Sequence, residues 1–227
     1  MSKPSRDPEH PFVSRGGLKL RCALDTFAID PTGLVCTDLG SSTGGFTDCL
    51  LQAGAAHVYA VDTGYGIIAW KLRSDPRVTV LERANALHTD PPSQIGHGVD
   101  LIVLDLGWTR QQHAIPAALR WLGPGGRIIT LIKPHYEQPQ QTDARKGKLR
   151  VLTSEQAEGI TDHIVQTQLP KLGVRVLGLV KSPILGGKSR KGAGRGNAEW
   201  LALLEAAHLP QYPQKDSQAG REPEPRT

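Results

Sequence analysis

The sequence predicts an α/β protein built on a doubly wound, Rossmann-like sheet of seven strands. Three observations carry that expectation. Short apolar runs of strand length alternate with segments of helical periodicity from residue 18 to residue 204, and right-handed crossovers turn such an alternation into a mostly parallel sheet. A glycine-rich segment containing Gly40, Gly44 and Gly45 joins the first strand to the helix after it. Four of the strands end on a residue able to do chemistry (Asp38, Asp62, Asp105 and Lys133), at the carboxyl edge where open α/β sheets bind ligands.

The elements follow in order. Residues 18–29 place Leu20, Ala23, Leu24 and Phe27 at helical spacing. Residues 34–39 form a short apolar strand, and 43–53 a helix that Gly54 stops. A second strand spans 57–62, a short helix 67–73 and a third strand 78–81. The fourth strand covers 100–105. Residues 111–122 read as a helix closed by the turn Gly123-Pro124-Gly125-Gly126, and the fifth strand, 127–133, ends in Lys133. A long helix is expected over 153–169, with Ser154 and Glu155 as a partial capping signal. Residues 174–181 and 198–204 supply the sixth and seventh strands.

The 227 residues, 38 % hydrophobic and 22 % charged, suffice for one packed domain, expected over 13–207. Residues 1–12 read as a flexible arm, and 208–227, rich in Pro, Gln and charge, as a disordered tail. No apolar run reaches the 18 residues of a bilayer span, and the first residues lack the apolar stretch of a signal peptide. Three widely spaced cysteines, Cys22, Cys36 and Cys49, give no metal pattern and fit reduced thiols, so a cytoplasmic location and no membrane partner are expected. The net charge of +5 permits a polyanionic partner.

The segment from Asp38 to Phe46 lets the backbone turn tightly and lets a ligand approach without a Cβ in the way. Its spacing is neither the dinucleotide fingerprint nor a P-loop, since no Lys-Ser/Thr follows. Asp62 ends the next strand, where a carboxylate can accept both ribose hydroxyls of a nucleoside; it reads equally as a helix N-cap. Asn85, after the third strand, either contacts an adenine or makes a loop turn.

Ser14-Arg-Gly-Gly-Leu-Lys-Leu20, the run from Asp38 to Asp48, the run from Val58 to Gly66, and Leu131-Ile-Lys-Pro-His-Tyr-Glu137 together resemble FtsJ-like RNA methyltransferases. The wording Thr-Gly-Gly-Phe-Thr-Asp (43–48) and residues 69–78 are similar to the hemolysin/TlyA branch in particular. The resemblance covers residues 12–205 and implies the S-adenosylmethionine-dependent methyltransferase fold, with the last strand antiparallel. It also implies S-adenosyl-L-methionine as cofactor, with Asp38, Gly40, Ser42, Gly44, Gly45, Phe46, Asp62, Asn85 and Asp105 around it and no metal. The family's Lys-Asp-Lys-Glu tetrad falls on Lys19, Asp105, Lys133 and Glu199. Two departures stand out. The branch carries an N-terminal S4-type RNA-binding module, for which this chain leaves no room, and the family's Asp-Val-Ser-Phe becomes Asp105-Leu-Gly-Trp108.

The expected reaction is methylation of a ribose 2′-hydroxyl of RNA, with ribosomal RNA or a ribosomal subunit as partner. Methyl transfer from a sulfonium is an in-line displacement, so positioning of oxygen and methyl matters most. The hydroxyl is a poor nucleophile until its proton is drawn away, and a lysine can draw it only when neutral. Lys133 takes that role, Asp105 orients it, and Lys19 and Glu199 position the ribose and the second lysine. Taken singly, Lys133 reads as a solvated rim residue, Glu199 as an edge charge and Lys19 as the wet side of a helix. Basic residues are expected to hold RNA phosphates: Arg15 near the start, Arg145, Lys146 and Lys148 after the fifth strand, and Lys188, Arg190, Lys191 and Arg195 in a Gly-rich stretch without acids. Tyr65, Trp108 and Tyr136 follow strand ends and either stack a base or pack. The rival readings are a non-catalytic RNA-binding protein of the same fold, an NAD-type oxidoreductase, which the glycine spacing disfavours, and a membrane-active hemolysin.

Overall fold

The computed structural model describes residues 11–137, 151–186 and 196–207. Its strands are β1 (Val35–Leu39), β2 (His57–Val61), β3 (Val78–Leu81), β4 (Val99–Leu104), β5 (Leu122–Ile132), β6 (Val174–Lys181) and β7 (Trp200–Ala206). They form one sheet in the order β3-β2-β1-β4-β5-β7-β6. The ladders β1–β2, β1–β4, β2–β3 and β4–β5 are parallel, while β7 runs antiparallel to both β5 and β6. The strand order reverses beside β1, so β1 and β4 diverge at their carboxyl ends and leave a crevice there.

The helices are α1 (Gly16–Phe27), α2 (Gly45–Gln52), α3 (Trp70–Arg73), α4 (Gln111–Leu119), α5 (Pro134–Glu137), α6 (Ser154–His163) and α7 (Leu169–Lys171). Successive residues of a strand face opposite sides of a sheet, and both sides are covered. On one side Leu101, Val103, Ile129 and Leu131 pack beneath Leu20, Leu24, Phe46 and Leu50 of α1 and α2. On the other, Ile102, Leu104, Ile128 and Ile132 pack against Ile115 of α4, Trp121 and Ile164. Burial on both faces is why β4 and β5 read as continuous apolar runs rather than alternating ones.

Several elements differ from the sequence expectation for identifiable reasons. The turn of residues 123–126 does not precede β5 but interrupts it: Leu122 already pairs with Val99, and the ladder resumes with Arg127 opposite Leu101. The backbones crowd there, since a Cβ on Gly98 would stand 2.5 Å from the Gly123 nitrogen. Helix α6 is capped by Thr153, not Ser154. The Thr153 side chain accepts from the Gln156 N–H and the Gln156 side chain accepts from the Thr153 N–H, a complete capping box. The helix expected to run unbroken over 153–169 widens to a π segment, Ile164–Gln168, before α7. Pro170 has no N–H to donate to the previous turn and its ring crowds the carbonyl four residues earlier, which a wider turn accommodates. The seventh strand starts at Trp200, so Glu199 lies in the connector before it.

Of the arm expected over 1–12, residues 1–10 lie outside the described residues, and Phe12 is buried in the core over Gly17. The tail expected over 208–227 also lies outside them.

Candidate active site

A cleft of about 660 Å³ opens at the carboxyl ends of β1, β2, β4 and β5, a volume typical of small-ligand sites. Of the expected residues, Arg15, Lys19, Asp38, Gly40, Ser42, Gly45, Phe46, Asp62, Asn85, Asp105 and Lys133 line it. Gly44 and Glu199 are not among its lining residues; Gly44 adjoins Gly45, and Glu199 bonds Lys19. Arg145, Lys146, Lys148, Lys188, Arg190, Lys191 and Arg195 lie outside the described residues.

The glycine loop is shaped by what a side chain would strike. Gly40 has φ +92°, and a Cβ there would lie 2.7 Å from the Asp105 carbonyl oxygen. Gly44 has φ +98°, and its Cβ would meet Leu72 at 2.2 Å. Backbone passes close to backbone at Gly40 and to the Leu72 side chain at Gly44, and only glycine readily permits both the conformation and the approach. Asp38, fully buried, accepts from the Thr47 N–H at 2.9 Å and the Thr47 hydroxyl at 2.7 Å, both on Oδ2. Its Oδ1 is buried and has no hydrogen-bond partner among the described residues. Burial pushes the Asp38 carboxyl up to about 7; the two bonds from Thr47 oppose the rise, and the nearby Asp105 and Asp62 carboxylates add to it.

Asp62 holds two loops together. Its Oδ2 accepts from Ser42 N–H and its Oδ1 from Gly64 N–H, each at 2.8 Å. Each oxygen keeps a second lone pair for a ligand hydroxyl. Asp62 is therefore not a helix N-cap. Asn85 makes a loop turn, its Oδ1 accepting from Leu87 N–H at 3.0 Å, and it also lines the cleft.

The four residues of the tetrad converge at the floor. The Lys19 ammonium donates to Glu199 Oε2 at 2.6 Å and stands 4.0 Å from Asp105 Oδ2. Lys133 donates to Asp105 Oδ1 and, at 3.0 Å, to the Leu106 carbonyl. Lys19 and Glu199 are buried, against the exposed placement each suggests when read singly. They are adjacent because β7 inserts beside β5, which brings the connector before β7 under α1. Burial alone would raise the Asp105 carboxyl, but the ammonium groups of Lys133 and Lys19 outweigh it and hold that carboxyl below the usual range. The same two cations, after burial, push His135 down to about 4.

At the rim, Trp108 is 70 % exposed and stacks on Tyr136, ring centroids 5.0 Å apart. Tyr65 is equally exposed, with the Arg83 guanidinium 4.4 Å over its ring. Neither Tyr65 nor Trp108 is a packing aromatic. Ser14, Ser41, Thr63, Thr109 and Leu185 also line the cleft and were not singled out from sequence. Ser14 and Ser41 lie inside motifs that could have flagged them, whereas Leu185 carries no local signal.

Comparison with known proteins shows the family and the fold. The FtsJ-like methyltransferase family model matches residues 12–191. Over 198 residues the chain is 42 % identical to the 16S/23S rRNA (cytidine-2'-O)-methyltransferase TlyA of Mycobacterium tuberculosis, a match spanning 87 % of this chain and 70 % of that protein. The solved structure of a hemolysin-designated protein from Streptococcus thermophilus superposes with a TM-score of 0.76 at 35 % identity, covering 90 % of this chain and 70 % of the other. An S-adenosylmethionine-dependent methyltransferase from Mesorhizobium loti, at 17 % identity, shares the fold with a TM-score of 0.53 over 81 % of this chain and 95 % of its own. No helix among the described residues is long and apolar enough to cross a membrane.

Proposed function

The chain belongs to the FtsJ-like methyltransferase family, and from that premise we propose that it methylates a ribose 2′-hydroxyl of ribosomal RNA with S-adenosyl-L-methionine as donor. The observation that carries this reading is the chain of contacts joining Glu199, Lys19, Asp105 and Lys133, the last three of which line the cleft together with the glycine loop. The 2′-O-methyltransferase name of the Mycobacterium tuberculosis relative supports the choice of ribose over base.

The cleft fits the cofactor. The orphaned Oδ1 of Asp38 is a buried acceptor with room for a cationic donor such as an α-ammonium. The two free lone pairs of Asp62 suit the two ribose hydroxyls. Gly40 and Gly45 give close backbone approach, with Ser42, Phe46 and Asn85 completing the wall. When bound, S-adenosylmethionine supplies an electrophilic methyl group on a sulfonium.

The chain's own residues prepare the attacking oxygen. Asp105, held below the usual carboxylate range, stays ionised near neutral pH and remains an acceptor. It therefore orients Lys133 and is not itself the base. Lys133, in its neutral form, takes the hydroxyl proton at Nζ, a role worth about 10²–10⁴-fold. Lys19, braced by Glu199, offers its remaining donors to the ribose. Trp108 and Tyr136 offer a face for the target base, and the basic residues at 145–148 and 188–195, with Arg15, hold flanking phosphates.

The test is transfer of labelled methyl from S-adenosylmethionine to ribosomal RNA from cells lacking the protein, followed by mapping of alkali-resistant linkages. Label at a single ribose is the expected outcome; label on a base, or none with any RNA, overturns the proposal.

A further inference from the structure

Asn197 is buried and lies two residues before Glu199. Its carbonyl accepts from Gly186 N–H at 2.9 Å, within an isolated antiparallel bridge between the two residues. Its side-chain Oδ1 accepts from Leu152 N–H, also at 2.9 Å. Three stretches of chain therefore meet at one residue, through its side chain to the approach to α6 and through its backbone, in the connector into β7, to the stretch after β6.

Glu199 depends on that meeting. It precedes β7 and has no ladder of its own; its carbonyl accepts from Ser182 N–H at 2.9 Å. Its carboxylate runs past Gly186 so closely that a Cβ there would lie 1.9 Å from Oε1. A Cβ on Gly196 would in turn lie 2.1 Å from the Gly186 carbonyl oxygen. The connector is thus pinned against the 186 backbone by Asn197 on one side and two side-chain-free positions on the other. The reach of Glu199 to Lys19, 2.6 Å, is set by where this connector lies.

We infer that Asn197 is a positioning residue for methyl transfer: through its bonds to Leu152 and Gly186 it sets the Glu199 carboxylate against Lys19, and so the order of the tetrad. The inference rests on the catalytic reading of the tetrad given above. A side chain here must accept a hydrogen bond from a buried-side N–H and leave the connector flat on Gly186. Asparagine does the first without adding a second buried carboxylate beside Glu199.

The experiment is a double-mutant cycle on the full chain, with S-adenosylmethionine and ribosomal RNA, read as single-turnover methyl transfer alongside cofactor affinity and RNA affinity. Asn197→Ala is expected to slow transfer by about 10- to 100-fold, the effect of misplacing a reacting group by an ångström or less, with both affinities within about twofold. In a Glu199→Gln background the same substitution is expected to change the rate by less than about threefold, because its effect runs through a carboxylate no longer present. Asn197→Asp, which keeps the acceptor for Leu152 but adds a carboxylate near Glu199, is expected to recover part of the rate. An equal loss in both backgrounds, or no loss in the first, overturns the inference. If Asn197→Ala does not fold, Asn197→Ser, which also withdraws the acceptor that reaches Leu152, takes its place in the cycle with the same expected pattern. Full turnover by Glu199→Gln alone overturns the tetrad reading instead, and is distinguishable because it appears before Asn197 is touched.

Discussion

Lys133 commits two of its three donors to Asp105 and the Leu106 carbonyl, so its amine is oriented before any substrate arrives. Lys133→Ala is expected to leave cofactor affinity unchanged and to lower turnover by about 10²–10⁴-fold. Lys133→Arg should fall nearly as far, because a guanidinium does not give up its proton near neutral pH. Near-normal methylation by the arginine variant would remove Lys133 as the base. Asp38 makes a different kind of prediction. Its folded value of about 7 lies above the ordinary 3.8, so the folded protein holds an extra proton between those limits. The stability this group contributes is therefore present at low pH and lost as pH rises through about 7. A cationic ligand group beside Asp38 favours the ionised form. The affinity of S-adenosylhomocysteine, measured by calorimetry, should then rise by up to tenfold per pH unit below about 7 and level off above. Asp38→Asn should flatten that profile. The four tetrad positions were legible in the sequence only jointly, through their motifs. The place of Asn197 was not, because it is fixed by bonds to backbone groups at Leu152 and Gly186, outside its own motif.

The elements that carry the site were readable where burial fixes them and misread where a local bond decides. The buried cores of β4 and β5 and the Asp105 and Lys133 that follow them were placed correctly, because two-sided burial demands an unbroken apolar run. The sequence reading starts this helix at residue 153 and takes Ser154 and Glu155 as a partial capping signal, whereas Thr153 with Gln156 three residues on is the pair that closes the capping box. Thr153→Ala should cost about 1 kcal/mol. In a domain of this size that lowers the thermal midpoint by about 2–4 °C, measurable by circular dichroism; an unchanged midpoint would mean the box contributes nothing. The π segment at Ile164–Gln168 was invisible to periodicity because the apolar face continues through it, and only Pro170 hinted at the break.

At the scale of the whole molecule, the charge balance bears on the partner. The excess of five positive charges is concentrated partly in two Lys/Arg-rich stretches that follow β5 and β6 in sequence, the second of them also rich in glycine. Neutralising Lys188, Arg190 and Lys191 together should reduce the slope of log RNA affinity against log salt by about two to three units, leaving cofactor binding intact; an unchanged slope would mean that these residues do not contact phosphate. The placement of β7 between β5 and β6 has a temporal consequence. Lys19 and Glu199, in direct contact, are separated by 180 residues of chain. The glycine loop, Asp62 and Asp105 all emerge from synthesis before the connector that bears Glu199. At about 5–20 residues per second, Lys19 waits roughly 10–40 s for its partner. A nascent chain can thus form much of its crevice before Glu199 reaches Lys19, and that contact closes only when β7 slots between β5 and β6.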